Sequence, residues 1–284
     1  MSEPMSMLAL LWRRFSRHRA AVASLVLFSL VAAACTLAPL IAPYPFDGID
    51  LDSVKQSPSF SNWMGTDDLG RDVFTRLLFG GRVSILIGLL AAVVGTLLGT
   101  AIGASAGYYG GALDNLLMRI TDLAYAIPTL PLLIILSAYS RAALVSMVLI
   151  IGLLSWMTTA RVVRSQVLSI KEMDYVEAAR SMGATDLRVL ARHIVPNALG
   201  PILVGVTLGV GNAIMIESSL SFLGLGVQPP TPTWGNMLMD SQATMATKPW
   251  LTLFPGLAIL LVVLAVNFMG DALRDALDPG TGGR

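Results

Sequence analysis

The chain has 284 residues, of which 55% are hydrophobic and 13% charged, with a formal net charge of +1 and a mean hydropathy of +0.71. A soluble domain carries about 25% charged residues, so a water-soluble enzyme is excluded, as is a disordered chain, which needs low hydrophobicity and high net charge. No global field exists to attract nucleic acid, and the single cysteine, Cys35, rules out an intramolecular disulfide framework or a multi-cysteine metal site.

What remains is an all-α polytopic membrane protein, since the apolar residues come in long runs and not in the period-2 alternation of a transmembrane barrel. A spanning helix needs about 20 mainly apolar residues to cross ~30 Å of hydrocarbon. Six runs qualify: 20–42, 83–107, 120–140, 142–160, 198–217 and 251–270. The first follows Arg13-Arg14 and holds Ala34-Cys35, features of a secretion signal or a lipoprotein cleavage site. It is longer than a signal core, and five further runs follow, so it reads as an uncleaved first helix after a cytoplasmic segment 1–19.

An outside loop, 43–82, comes next. Its aspartates, Asp47, Asp50, Asp52, Asp67, Asp68 and Asp72, lack the alternation and downstream Glu of a calcium loop. They read as turn and cap residues, with Thr66 or Asp67 capping a helix and Arg71, Arg76 and Arg82 pairing with carboxylates at a wet surface. In the second run Gly95, Gly99, Gly103 and Gly107 recur every fourth residue, a stripe on which a neighbouring helix can pack closely. Gly205 and Gly209 repeat the device in the fifth run. Pro128 and Pro131 should kink or break the third, while Pro255 lies early in the sixth, where proline is better tolerated.

The inside loop 161–197 predicts two short helices: one from near Asp174 to the stop residue Gly183, the other from Thr185 or Asp186 to just before Pro196. Val176, Ala179 and Met182 fall on one face of the first, Glu177, Arg180 and Ser181 on another. Such a rigid helix–turn–helix can dock a soluble partner. The outside segment 217–250 reads as a short re-entrant or interfacial piece with Trp234 and Trp250 at headgroup level. Glu217 is either an interfacial carboxylate or, with Met215, Ser218 and Ser221, part of a translocation path or gate. With the N-terminus inside, thirteen of the nineteen Lys and Arg fall on the inner side, which predicts N-in and C-in.

Several chemistries are missing from the sequence. None of the three lysines follows a glycine, so no Gly-x-x-x-x-Gly-Lys-Ser/Thr phosphate loop exists and the chain has no ATP site of that kind. His18 and His193 are not paired at metal-ligand spacing, and no nucleophile motif appears. The cores of the six runs hold no ionisable residue, which weakens a proton-coupled carrier.

Glu177-Ala178-Ala179, then Gly183, then Ile194-Val195-Pro196, resembles the cytoplasmic "EAA" loop of bacterial ABC importer permeases. Gly65-Thr66-Asp67 with Gly70-Arg71-Asp72-Val73-Phe74, Ser218 to Gly226, Trp234-Gly235, and Gly270 through Asp278-Pro279 resemble the dipeptide/oligopeptide/nickel branch, in its second, C-type subunit. The departure is Val195, where leucine is common. The resemblance implies a type I importer architecture with a permease core over 83–271 and a cytoplasmic tail 272–284. It implies that Asp174, Tyr175, Glu177, Ala178, Ala179, Arg180, Gly183, Ala184, Ile194 and Pro196 couple the chain to ATPases. The implied partners are a second homologous permease, two cytoplasmic P-loop ATPases that bind ATP and Mg, and an extracytoplasmic solute-binding protein. The chain itself is expected to hold no cofactor and no metal. The implied cargo is a di- or oligopeptide, with glutathione or a nickel chelate as alternatives, and the implied location is the bacterial cytoplasmic (inner) membrane. A stand-alone carrier or channel is the competing reading.

Overall fold

The structure, a computed structural model, describes residues 15, 16, 18–140 and 143–277. Arg13, Arg14, Asp278 and Pro279, named above, and Arg17, Arg141 and Arg284, which enter the count of basic residues, lie outside the described residues. Among those described, the only strand-like feature is one isolated bridge between Thr66 and Asp72. The helices are α1 (Arg19–Thr36), α2 (Ala38–Ile41), α3 (Val73–Tyr109), α4 (Gly111–Ala126), α5 (Thr129–Tyr139), α6 (Leu144–Leu153), α7 (Trp156–Ile170), α8 (Asp174–Ser181), α9 (Asp186–Val189), α10 (Leu199–Phe222), α11 (Trp234–Ser241) and α12 (Trp250–Leu277).

Four helical stretches are each long and apolar enough to cross a membrane: α1, α3, residues 186–222 with α10 as their main part, and α12. The third and fourth runs are not single helices. α4 and α5 are bent by 82° and α6 and α7 by 44°, so the total is up to six spans when each bent pair counts as one. The first break falls at Ile127-Pro128, where proline removes a ladder donor and pushes its predecessor out of helical geometry. Pro131, inside the first turn of α5, breaks nothing.

α3 is the central element, packed against α7, α10, α6 and α1. At 37 residues it is about 55 Å long and starts at Val73, well ahead of the apolar run. Asp72 caps it, its carboxylate accepting from the Thr75 N–H at 2.7 Å. The cap is therefore neither Thr66 nor Asp67. Thr66 instead ties the loop together, its hydroxyl accepting from the Gln56 N–H at 2.9 Å and bonding the Ser53 carbonyl.

Three glycines of this stripe, Gly99, Gly103 and Gly107, meet the backbone of α7, and Gly95 meets Ser155 just ahead of it. A Cβ on Gly99 would lie 2.6 Å from the Trp156 carbonyl, one on Gly107 2.9 Å from that of Arg164, and those on Gly95 and Gly103 would collide with Ser155 and Ala160. Gly205 and Gly209 are different, since a Cβ on either would make ordinary contacts at 3.9 and 3.4 Å. The N-terminal end of α3 has its own close approach at Gly81, where a Cβ would fall 2.5 Å from the Trp234 ring. Trp234, 1% exposed, belongs to a core with Cys35, Ile85, Val210, Ile214 and Val262. It is a packing residue, not a headgroup anchor, and its indole N–H donates to the Leu77 carbonyl at 3.0 Å.

Candidate functional site

The loop between α7 and α10 is built on three buried residues. Val176 of α8, Val189 of α9 and Ile194 insert into a cluster with Ala104 and Tyr108 of α3 and Val163 and Val167 of α7, and Ala179 of α8 is buried as well. Fully burying a valine or isoleucine is worth about 1.5–3 kcal/mol, so this small element is docked onto the membrane helices. The remaining face of α8 is open: Asp174, Tyr175, Glu177, Ala178 and Arg180 are exposed. Asp174 and Glu177 lie in the first turn and Arg180 in the last, the signs that suit the helix dipole.

Met182 does not share the face of Val176 and Ala179. α8 ends at Ser181, so Met182 leaves the helical register and is 83% exposed. Gly183 follows with φ +83, in the left-handed region that favours glycine, while the Ala184 N–H closes the turn on the Ala179 carbonyl at 3.1 Å. Pro196 does not stop the next helix. A π turn over Leu190–Ile194 and a 3₁₀ turn over Val195–Ala198 absorb the missing donor, and the chain runs on into α10. α9 and α10 thus form one stretch, so the docked loop and a membrane span are mechanically continuous.

A residue outside the sequence motif fixes this loop. The Tyr108 hydroxyl donates to Asp186 Oδ1 at 2.7 Å, and the Arg180 guanidinium sits over the Tyr108 ring at 4.8 Å. One side chain at the end of α3 therefore holds both short helices. Nothing in the spacing points to it, because a tyrosine ending an apolar run reads as an ordinary interfacial aromatic.

Two ion pairs join α4 to α7. Arg164 Nε and Nη2 reach the two Asp114 oxygens at 2.5 and 2.6 Å, and Arg161 Nη2 reaches Asp122 Oδ1 at 2.6 Å. The acidic residues flanking the third run and the basic ones flanking the fourth were the available signal.

Of the four candidate path residues, three turn inward. Glu217 is fully buried at 0% exposure, with Ser218 at 6% and Ser221 at 1%, whereas Met215 is 48% exposed. Ser221 donates to Glu217 Oε1 at 2.7 Å and Ser84 of α3 to Oε2 at 2.9 Å, with Ser218 at 3.5 Å from Oε2. Ser84 in turn accepts from the Trp234 N–H at 3.3 Å. Glu217 is thus not at an aqueous interface. It knots α10, α3 and the start of α11 together. Residues 217–222 belong to α10 itself, and no separate re-entrant piece forms there.

Beyond it lies a second knot of opposite charges. Asp67 takes Arg71 at 2.7 Å and Arg76 at 3.3 Å, and both arginines also approach Asp240 of α11, at 3.6 and 3.8 Å. Arg71 and Arg76 are buried, not wet, while Arg82 is exposed and makes no ion pair among the described residues. Burial pushes the Asp240 carboxyl above its ordinary range, opposed by the charges of Arg76 and Arg71.

Among the described residues the fold is helical, with broken spans around one long central helix and an ordered loop docked at the end of a span, the architecture of a polytopic membrane protein. The chain belongs to the family of binding-protein-dependent transport system inner membrane components, whose model matches residues 84–283. The N-terminal TM domain of oligopeptide transport permease C matches residues 6–58. The chain is 42% identical over 269 residues to the glutathione transport system permease protein GsiD of Pectobacterium atrosepticum, covering 94% of this chain and 89% of that one. The same figures hold for GsiD of Escherichia coli O157:H7. Among solved structures, the inward-facing MetNI methionine ABC transporter matches with a TM-score of 0.56 at 19% identity, covering 71% of this chain and 96% of that one. The likeness extends to the fold. This chain is accordingly a multi-pass inner-membrane permease of an ABC importer in the dipeptide/oligopeptide/nickel branch, a class that works with ATPase and binding-protein partners.

Proposed function

We propose that this chain is the second, C-type permease of a heterodimer that carries peptides or glutathione, itself a tripeptide, delivered by a solute-binding protein. Two partner P-loop ATPases bind ATP and Mg, and this chain holds neither an ATP site nor a cofactor. Its termini face the cytoplasm. The carrying observation is the open face of α8: Glu177, Ala178 and Arg180 are exposed while Val176 pins the helix to α3 and α7. An ATPase that closes on ATP moves α8 and α9, and the unbroken run from α9 into α10 carries that motion into the membrane. The 42% identity to relatives named for glutathione favours that tripeptide over a nickel chelate.

The test is purification of the tagged chain from its native membrane in mild detergent, with the co-purifying polypeptides identified and ATPase activity assayed. A second permease and phosphate-loop ATPases are expected. Recovery of the chain by itself, with uptake intact in ATP-free vesicles, would make it a stand-alone carrier.

Two variants probe the coupling site. Glu177→Arg reverses a charge on the exposed face and should leave insertion unchanged, while solute-stimulated ATPase falls about tenfold, the ~1.4 kcal/mol of one disrupted interface contact. Tyr108→Phe keeps the ring under Arg180 and removes the bond to Asp186, a loss of about 0.5–1.5 kcal/mol. Its expected signature is a rise in ATP hydrolysed per solute imported, measured in reconstituted vesicles. An unchanged ratio would show that Tyr108 packs the loop without positioning it.

A further inference from the structure

The pair formed by Asp122 and Arg161 differs from its neighbour in the same two helices, Asp114–Arg164. It is closed at 2.6 Å, yet both side chains remain about half exposed, at 52% and 49%. Its neighbour Asp114–Arg164 is held by two bonds and has a carboxylate only 13% exposed, which makes that pair a tie between helices. The Arg161 guanidinium lies over the Tyr125 ring at 4.6 Å, and the Tyr125 hydroxyl shares a hydrogen bond with Thr158 Oγ1 at 2.7 Å. Exposed apolar residues, Leu123 and Val162, sit beside the pair in sequence.

Depth decides what this patch faces. Arg161 is about 25 Å along its span from Leu144, within a hydrocarbon layer of ~30 Å and toward the coupling-loop side. Ionisable residues inside spans do not face lipid; they face a bundle interior or a water-filled cavity, and they mark substrate pathways. A second observation agrees. Tyr125 and Thr158 lie beside the two helix breaks, the 82° bend after Ala126 and the 44° bend before Trp156, with Asp122 and Arg161 within about a turn and a half of them, and interrupted spans are where membrane transporters build substrate sites.

We propose that Asp122, Tyr125, Thr158 and Arg161 form a substrate contact on the wall of the translocation path, which takes the two charged ends of a zwitterionic peptide. The substrate ammonium replaces Arg161 against Asp122, and its carboxylate replaces Asp122 against the guanidinium fork. Half-exposed pairs contribute little to stability, so the exchange is easy. The Tyr125 ring keeps Arg161 in place during it, and the two hydroxyls serve the peptide amides. The proposal rests on the permease reading above and adds the groups that meet the cargo.

The experiment uses the complete importer in vesicles, with its partner subunits and binding protein. Alanyl-alanine, its N-acetyl derivative and glutathione serve as probes. Asp122→Asn should cut the uptake preference for alanyl-alanine over the N-acetyl form by about fivefold or more, and Arg161→Gln should lower uptake of all three about tenfold. Thr158→Cys should react with a charged, membrane-impermeant thiol reagent, more slowly when alanyl-alanine and binding protein are present. An unaltered preference with normal uptake overturns the proposal. So does a Thr158→Cys thiol that only lipophilic reagents reach, or one that substrate does not protect, and this labelling decides the matter if the charge variants fail to assemble. Failure of the unsubstituted complex to import any probe would instead count against the peptide reading itself.

Discussion

Replacing Glu217 with alanine should cost the permease about 3–5 kcal/mol and most of its folded yield. The side chain is fully buried and is the shared acceptor for Ser84 and Ser221 at 2.9 and 2.7 Å. A hydrogen bond is worth about 0.5–1.5 kcal/mol net, and removing one partner leaves the others buried and unsatisfied at about 1–3 kcal/mol. Alanine also leaves a void where α10, α3 and the start of α11 meet. Glu217→Gln keeps one acceptor oxygen and nearly the same volume, so it should lose about 1–2 kcal/mol. Thermal unfolding of the detergent-solubilised chain, followed by size exclusion, separates the two. Equal midpoints for Glu217→Ala and the unsubstituted chain would show that the knot bears no weight.

Gly103→Leu should be as damaging, for the opposite reason. A Cβ at Gly103 already collides with the Ala160 carbonyl, and a backbone atom has nowhere to go. Overpacking costs about 1–3 kcal/mol where side chains can yield. Here α3 must move away from α7, which breaks the tight fits at Gly99 and Gly107 as well, so an effect at or above ~3 kcal/mol is expected. Gly205→Ala is the matched control. Its new Cβ would sit 3.9 Å from Thr159 Oγ1, and alanine is favoured over glycine in a helix by up to ~1 kcal/mol. That variant should be neutral or slightly stabilising. The ratio of folded to aggregated protein after membrane extraction reports both.

That contrast shows what a single sequence discloses. Both glycine series have the same spacing, but spacing does not tell which helix lies opposite or how near, so Gly205 looked equivalent to Gly99. The α8 segment was legible because its apolar positions and its stop residue are local, whereas Met182 was misplaced by one residue of helix length. The helix break at Ile127 was legible in Pro128. The break between Leu153 and Trp156 carries no proline and was not. α3 was cut short because Arg76 and Arg82 interrupt the apolar run, and the partner that permits Arg76 to be buried, Asp240, comes more than a hundred residues later. Glu217 had the same difficulty: its acceptor role depends on Ser84, on another span, and without that partner a carboxylate at the end of an apolar run reads as a surface group.

The order of synthesis gives the charged knot around Asp67 a meaning in time. Asp67, Arg71 and Arg76 leave the ribosome early, while Asp240 and Trp234 follow only after α10 has been made. Until then Arg71, just ahead of α3, and Arg76, in its first turn, share the one short-range carboxylate of Asp67, and the Leu77 carbonyl has no indole to meet. The cap on this end of α3 is therefore completed by the last third of the chain. A nascent permease stalled before α11 would present that end of α3 uncovered, a mark by which membrane quality control can tell an unfinished chain from a finished one.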